Sequence, residues 1–140
     1  MNARVETAPR GALRLDLAAG ERLFVNGAVL AVDRRVAVTL LNRAAILRGA
    51  NVMQAEEATT PLRRLYFAAQ RGLVSPGEAT AAALEAGALT EALLAAVSTP
   101  ALVSGLLDAR EALGRGEPFA AMRAVRPLFA LEARLLEAAA

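Results

Sequence analysis

The 140-residue chain contains no cysteine, histidine, tryptophan or lysine. Without cysteine there is no disulfide framework, no thiolate metal site and no thiol nucleophile. Without histidine the commonest proton shuttle at neutral pH is missing. An enzyme built from these residues would have to work through carboxylates, Tyr66, hydroxyls or a bound metal, and no convergent set of those is found. Glu56 and Glu57 are adjacent and point apart, and acids just before a helix are favoured by its dipole. No Gly-x-Gly-x-x-Gly fingerprint or phosphate-binding loop occurs, and Gly114-Arg115-Gly116 is too short to be either. No apolar run approaches the ~20 residues of a membrane span. The first residues, Met1 to Pro9, lack the apolar stretch of a secretory signal. These absences predict a cytoplasmic protein that is not an enzyme and holds no cofactor and no metal.

What is present is arginine, alanine and leucine. Hydrophobic residues make up 56% of the chain. Much of that is alanine, so the leucines, valines and four phenylalanines are expected to form the core. The length suits a single domain, 1–140. All 16 basic residues are arginine, whose planar fork suits phosphates and base edges better than the point charge of lysine. A GC-rich genome would produce the same bias. Residues 1–74 hold 11 arginines against six acids, whereas residues 75–140 hold five against eight. The basic front half suggests an anionic partner. Two halves of a solvated surface attracting each other would give the same asymmetry.

Two periodicities divide the chain. Residues 1–11 read as a loose tail. Leu13, Leu15 and Leu17 alternate with Arg14 and Asp16, as a half-buried strand does. Asn26-Gly27 between apolar flanks predicts a type I′ hairpin with Val25 opposite Ala28 and Leu23 opposite Leu30. Residues 35–41 alternate again, and a further short strand is expected around Ala45 to Arg48. Residues 12–54 are thus expected to form one antiparallel sheet of four or five strands.

From Thr60 the period becomes helical. Thr60-Pro61, Ser75-Pro76 and Thr99-Pro100 each place a capping residue before a proline that fits the first helical turn. Ser75 to Glu78 also matches a capping box. Helices are expected from Pro61 to Gly72, Pro76 to Val97, Pro100 to Leu113, and from Pro118 onward with a break at Pro127. The fold class is α+β: a small N-terminal antiparallel sheet packed on a C-terminal bundle of about four helices over residues 60–137.

Two candidate surfaces follow. Arg22, Arg34, Arg35, Arg43 and Arg48 fall at turns and outward strand positions, where they would make one sheet face or edge positive enough to track an RNA backbone. Phe24 either offers a ring for base stacking or lies in the core. No aromatic ribonucleoprotein motif or GXXG loop accompanies them. On the first helix Arg63, Arg64, Phe67, Gln70 and Arg71 share the side opposite Leu62, Leu65, Tyr66 and Ala69. That side is either a docking site for an acidic partner or an ordinary solvated face.

Three stretches carry a family resemblance. They are Leu15-Asp16-Leu17-Ala18-Ala19-Gly20-Glu21-Arg22-Leu23-Phe24-Val25-Asn26-Gly27-Ala28-Val29, Glu56-Glu57-Ala58-Thr59-Thr60-Pro61-Leu62-Arg63-Arg64-Leu65-Tyr66-Phe67-Ala68-Ala69-Gln70, and Ala124-Val125-Arg126-Pro127-Leu128-Phe129-Ala130-Leu131-Glu132. With them the chain resembles the flagellar biosynthesis repressor family FlbT from about Leu13 to Leu136. The resemblance implies post-transcriptional control of flagellin in α-proteobacteria. A protein of this kind acts on the 5′ untranslated region of flagellin mRNA, lowering its translation and promoting its decay. Some relatives support flagellin production instead, which leaves the direction of control open. The family brings no catalytic residues, so decay would be indirect, with cellular nucleases acting on a message closed to the ribosome. The alternative is a protein-interaction module for flagellin, its chaperone or another flagellar regulator, without direct RNA binding. A homodimer would double the arginine surface, though nothing in the sequence demands one.

Overall fold

Asn26 adopts φ +49°, the left-handed conformation that the Asn-Gly turn requires, and the strands on either side pair in the register expected of it. Strand β3 (Arg22–Val25) meets β4 (Ala28–Ala31) antiparallel, with Val25 opposite Ala28 and Leu23 opposite Leu30. The computed structural model describes residues 4–6, 13–26, 28–42 and 44–139; Gly27 and Arg43 lie outside them. The chain divides into two compact units, Met1–Val52 and Met53–Ala140.

The first unit contains two small sheets rather than the single sheet expected. Strand β1 (Arg4–Glu6) pairs with β6 (Ala44–Arg48), which pairs with β3, which pairs with β4. Strands β2 (Leu13–Leu17) and β5 (Val36–Leu40) form a separate antiparallel pair. β1 falls within residues 1–11, which read as a loose tail because three residues are too few to show a period. The physical reason for two sheets is a shared apolar layer. Leu15 and Leu17 cluster with Leu23, Ala44 and Ile46, with Val36, Val38 and Leu40 packed against them. Each sheet turns one apolar face inward, so the unit is a small β-sandwich.

The second unit is helical: α1 (Pro61–Val74), α2 (Ala79–Ala96), α3 (Pro100–Gly114), α4 (Pro118–Val125) and α5 (Phe129–Ala139). Thr60 caps α1 as expected, its Oγ1 accepting from Arg63 N at 3.3 Å. The other two capping expectations fail. Ser75 and Thr99 make no capping side-chain bond. Ser75 also ends α1, its N–H donating to Arg71 O at 3.0 Å, and its backbone (φ −131°, ψ 81°) opens a 3-10 turn instead of an α-helix. The helix also runs two residues past Gly72. The reciprocal capping box lies at Gln54 and Glu57, which gives Glu57 a structural role. Pro127 sits in the 3-10 turn Arg126–Leu128 that separates α4 from α5, as a proline inside a helical stretch requires.

The core of this unit differs from expectation. Only Phe119 of the four phenylalanines is buried. Ala68, Ala69, Ala82, Ala86, Ala109, Ala112 and Ala121 are buried beside Leu62, Leu65, Leu102 and Leu106. Small residues let the helix axes approach, so alanine here contributes close packing rather than area. Leu135 and Leu136, near the end of α5, stay exposed. The segment Pro76–Ala96 is 21 residues long and contains an 18-residue window with a mean hydropathy of 1.3, so by length and composition alone it is long and apolar enough to cross a membrane. That corrects the expectation of no such run. Its apolarity comes largely from alanine, and α2 contains Glu85 and Glu91.

Candidate functional site

Strand connectivity gathers the front-half arginines at one end of the sandwich. β2 and β6 end there, at Leu17 and Arg48; β3 and β5 begin there, at Arg22 and Val36; β4 ends there at Ala31. Arg22, Arg34, Arg35 and Arg48 therefore share one rim, although they are spread over 27 residues of sequence. Arg43 lies outside the described residues. Gly20, at φ +82°, turns the chain back at this rim, its N–H donating to Val32 O at 2.7 Å.

The rim is less positive than the arginine count suggests. Arg48 is half-buried and committed: its Nε donates to Glu21 Oε2 at 2.8 Å and its Nη2 to Asp16 O at 2.8 Å. Glu21 also accepts from Ala18 N at 2.9 Å. That backbone bond, then Arg48, holds the Glu21 carboxyl below its ordinary pKa. Arg48 is thus a structural cation and not the open RNA contact expected of it. Arg34 lies 3.6 Å from Asp33, both highly exposed, a pair that water screens. Arg22 and Arg35 are exposed and form no ion pair among the described residues. Phe24 is half-buried and pairs in register with Leu47, which is fully buried. Its ring offers less open area for stacking than an outward strand position promised.

The expected α1 face is also revised. Gln70 is buried and not part of it. Its side chain brackets the backbone of Met53, accepting from Met53 N and donating to Met53 O, both at 2.8 Å. It sits at the margin of the helical arc, where a polar residue able to satisfy a buried peptide group turns inward. Arg71 pairs with Glu85, and with Glu78 at 3.3 Å. These bonds, Glu85 first, raise its pKa above the usual arginine value. Arg64 is exposed, while Arg63 and Phe67 are half-buried.

One arrangement was not legible in the sequence. The second and third stretches of the family resemblance meet in space. Glu132, buried on α5, reaches the start of α1: Oε2 accepts from Leu62 N at 2.9 Å, and Oε1 accepts from the Thr60 hydroxyl. Tyr66 and Phe129 pack edge to face, with ring centroids 5.5 Å apart. Each carries the arginine of the other segment. Arg63 lies over Phe129 at 4.7 Å, and Arg126 lies over Tyr66 at 5.4 Å while donating to its hydroxyl at 3.0 Å. The spacing Arg-x-x-aromatic occurs in both segments and is crossed between them. Its only sequence signal was that spacing, 63 residues apart.

No group of three acids that could hold a metal occurs among the described residues. An apolar hollow of about 100 Å³ between α1, α2 and the start of α4 is lined by Ala69, Gly72, Ala82, Leu113 and Pro118, with Glu117 the one titratable residue in its lining. It offers no constellation for chemistry.

A small β-sandwich followed by a helical unit, each with exposed arginines, is the class of fold these observations define. The profile of the family described as "Flagellar protein FlbT" matches residues 13–136. The chain is 39% identical over 127 residues to the probable flagellum biosynthesis repressor protein FlbT of Brucella ovis, covering 91% of this chain and 84% of the relative. The Brucella suis protein of the same name matches equally. The Rhizobium johnstonii protein, also of that name, is 41% identical over 128 residues, covering 91% of this chain and 85% of its own length. No solved structure matches significantly. The chain belongs to the FlbT family.

Proposed function

We propose that this chain regulates flagellum biosynthesis after transcription, by binding the 5′ untranslated region of a flagellin message in the cytoplasm and lowering its translation and lifetime. The observation that carries the reading is the rim of the sandwich, where connectivity collects Arg22, Arg34 and Arg35 at exposed positions on one side of the fold. Guanidinium groups at such a rim contact successive phosphates, and counterion release drives the association. The relatives named as flagellum biosynthesis repressors support the biological setting. On this reading the protein acts by occupying the message, as the relatives named repressors support. Decay then follows from a message closed to ribosomes and left to cellular nucleases.

A second reading, docking of flagellin, its chaperone or another regulator on α1, draws on one observation, the half-exposed Phe67 ring beside Arg63. On that face Gln70 is turned to the interior and Arg71 is held by its glutamates. The test is a titration of purified protein against flagellin leader RNA from the same genome, with a scrambled RNA as control. Sequence-dependent binding supports the repressor reading. Equal, weak binding to both RNAs contradicts it and directs attention to a protein partner.

A further inference from the structure

The charge of the helical unit is segregated by element. Residues 58–74 hold three arginines and no acid, and residues 118–139 hold three arginines and two glutamates. Residues 75–117 hold two arginines against six acids. One of the two glutamates in the closing segment, Glu132, is buried and spent on Thr60 and Leu62. The α1/α4/α5 side of the unit is therefore cationic, while α2 and α3 are anionic.

Three arginines on that side share an arrangement. Arg63, Arg126 and Arg123 lie over Phe129, Tyr66 and Phe119, at 4.7, 5.4 and 6.0 Å from the ring centroids. None of the three pairs with a carboxylate among the described residues. Arg123 and Arg126 are exposed, Arg63 half-exposed. Arg123 and Arg126 stand three residues apart across the end of α4, a spacing that places them on one side. A guanidinium over a ring surrenders a face to the ring and keeps its in-plane N–H groups, which are the groups that match phosphate oxygens; Arg126 gives one of its own to the Tyr66 hydroxyl and retains the others. The aromatic floor also fixes the side chain in advance, so less rotamer entropy is lost when an anion arrives. Cations held in place without internal counterions are what a polyanion displaces salt from.

We propose that Arg63, Arg123 and Arg126, held over Phe129, Phe119 and Tyr66, form a phosphate-binding surface that takes the backbone of single-stranded RNA. The inference rests on the RNA reading above and adds a surface on the helical unit, distinct from the sandwich rim. RNA is favoured over an acidic protein face because the rings beneath the guanidinium groups are withdrawn, Tyr66 and Phe119 buried and Phe129 half-buried, so none of the three stands out as an exposed apolar anchor. A protein hot spot requires an apolar anchor at its centre, whereas a phosphate backbone does not.

The test uses the full chain and fluorescently labelled flagellin leader RNA, read by anisotropy at several salt concentrations. Variants are the double substitution Arg63→Gln with Arg126→Gln, the single substitution Arg123→Glu, and Arg34→Glu with Arg35→Glu as the rim comparator. The double variant is expected to bind roughly tenfold or more weakly, with the log–log salt slope reduced by about 0.7 for each phosphate no longer neutralised. Arg123→Glu leaves every hydrogen bond of the unit intact and is expected to weaken binding as well, which keeps the test valid where the double variant loosens the packing around Tyr66. Unchanged affinity and slope in both, with the unaltered chain still binding, overturns this surface and leaves the repressor reading standing. Failure of the unaltered chain to bind any RNA overturns both. Retained RNA binding with loss of a co-purifying protein in Arg123→Glu overturns the surface in favour of protein docking.

Discussion

Replacing Glu132 with alanine tests whether the two signature segments are held together as described. Glu132 is 7% exposed and accepts from the Thr60 hydroxyl and the Leu62 N–H at the start of α1. Its removal leaves the Leu62 N–H buried without a partner, at a cost of about 1–3 kcal/mol. It also removes a negative charge from a helix N-terminus, worth about 0.3–2 kcal/mol. A loss of about 3 kcal/mol is expected, which for a unit of this size lowers the melting temperature by roughly 12–24 °C. Glu132→Gln keeps one carbonyl oxygen for Leu62 and its amide can donate to Thr60, so about 1 kcal/mol is expected. The assay is urea denaturation followed by far-ultraviolet circular dichroism, which is dominated by the helical unit. Thr60→Ala combined with Glu132→Ala should show a coupling of about 1 kcal/mol, because both remove the same bond. A Glu132→Ala midpoint within ~0.5 kcal/mol of the unaltered chain, the scatter of ordinary surface substitutions, would refute the reasoning.

Further outcomes follow from the same structure. Gln70→Leu should destabilise the helical unit by about 2–4 kcal/mol, since it strands both backbone groups of Met53, and the loss should show in the same urea assay. Asn26→Val should destabilise the hairpin by about 1–2 kcal/mol because a β-branched residue is strained at φ +49°, while Asn26→Gly should be tolerated; amide exchange of β3 and β4 reads the difference. The depressed Glu21 pKa has a definite sign. The folded carboxylate is favoured over the unfolded one, so its stabilisation is complete above the ordinary value near 4.5 and is lost as pH falls through the lower folded value. Acid titration of the sandwich should therefore be less steep in Glu21→Gln. A Cβ at Gly105 would fall 2.5 Å from Leu128 Cδ1, so Gly105→Val should cost about 1–3 kcal/mol by overpacking, measurable by thermal melting.

The hairpin register, strands β2 to β6, the helical type of the second unit and the split at Pro127 were legible because each is a local signal. Asn26 sets a turn, alternation sets strands, and prolines set the starts of α1, α3 and α4. The division into two sheets was not legible, because strand partners depend on which apolar faces meet, and Leu15 and Leu23 carry no mark of their partnership. Gln70 was misplaced because its helical position lies at the margin between faces, and only the nearby Met53 peptide decides which way it turns. The alanine core was underestimated because alanine counts little by area and much by proximity. Arg48 and Arg22 look alike in sequence; only Glu21, 27 residues from Arg48, separates a structural cation from an open one.

The central claim, regulation by direct contact with a flagellin message, is tested most directly inside the cell. Ultraviolet cross-linking of the tagged chain, followed by sequencing of the RNA that stays attached through denaturing purification, reads contact without assuming a ligand. The account predicts enrichment of flagellin leader sequences, reduced when Arg22, Arg34 and Arg35 are changed to glutamate. RNA recovery no greater than from an untagged strain would contradict it.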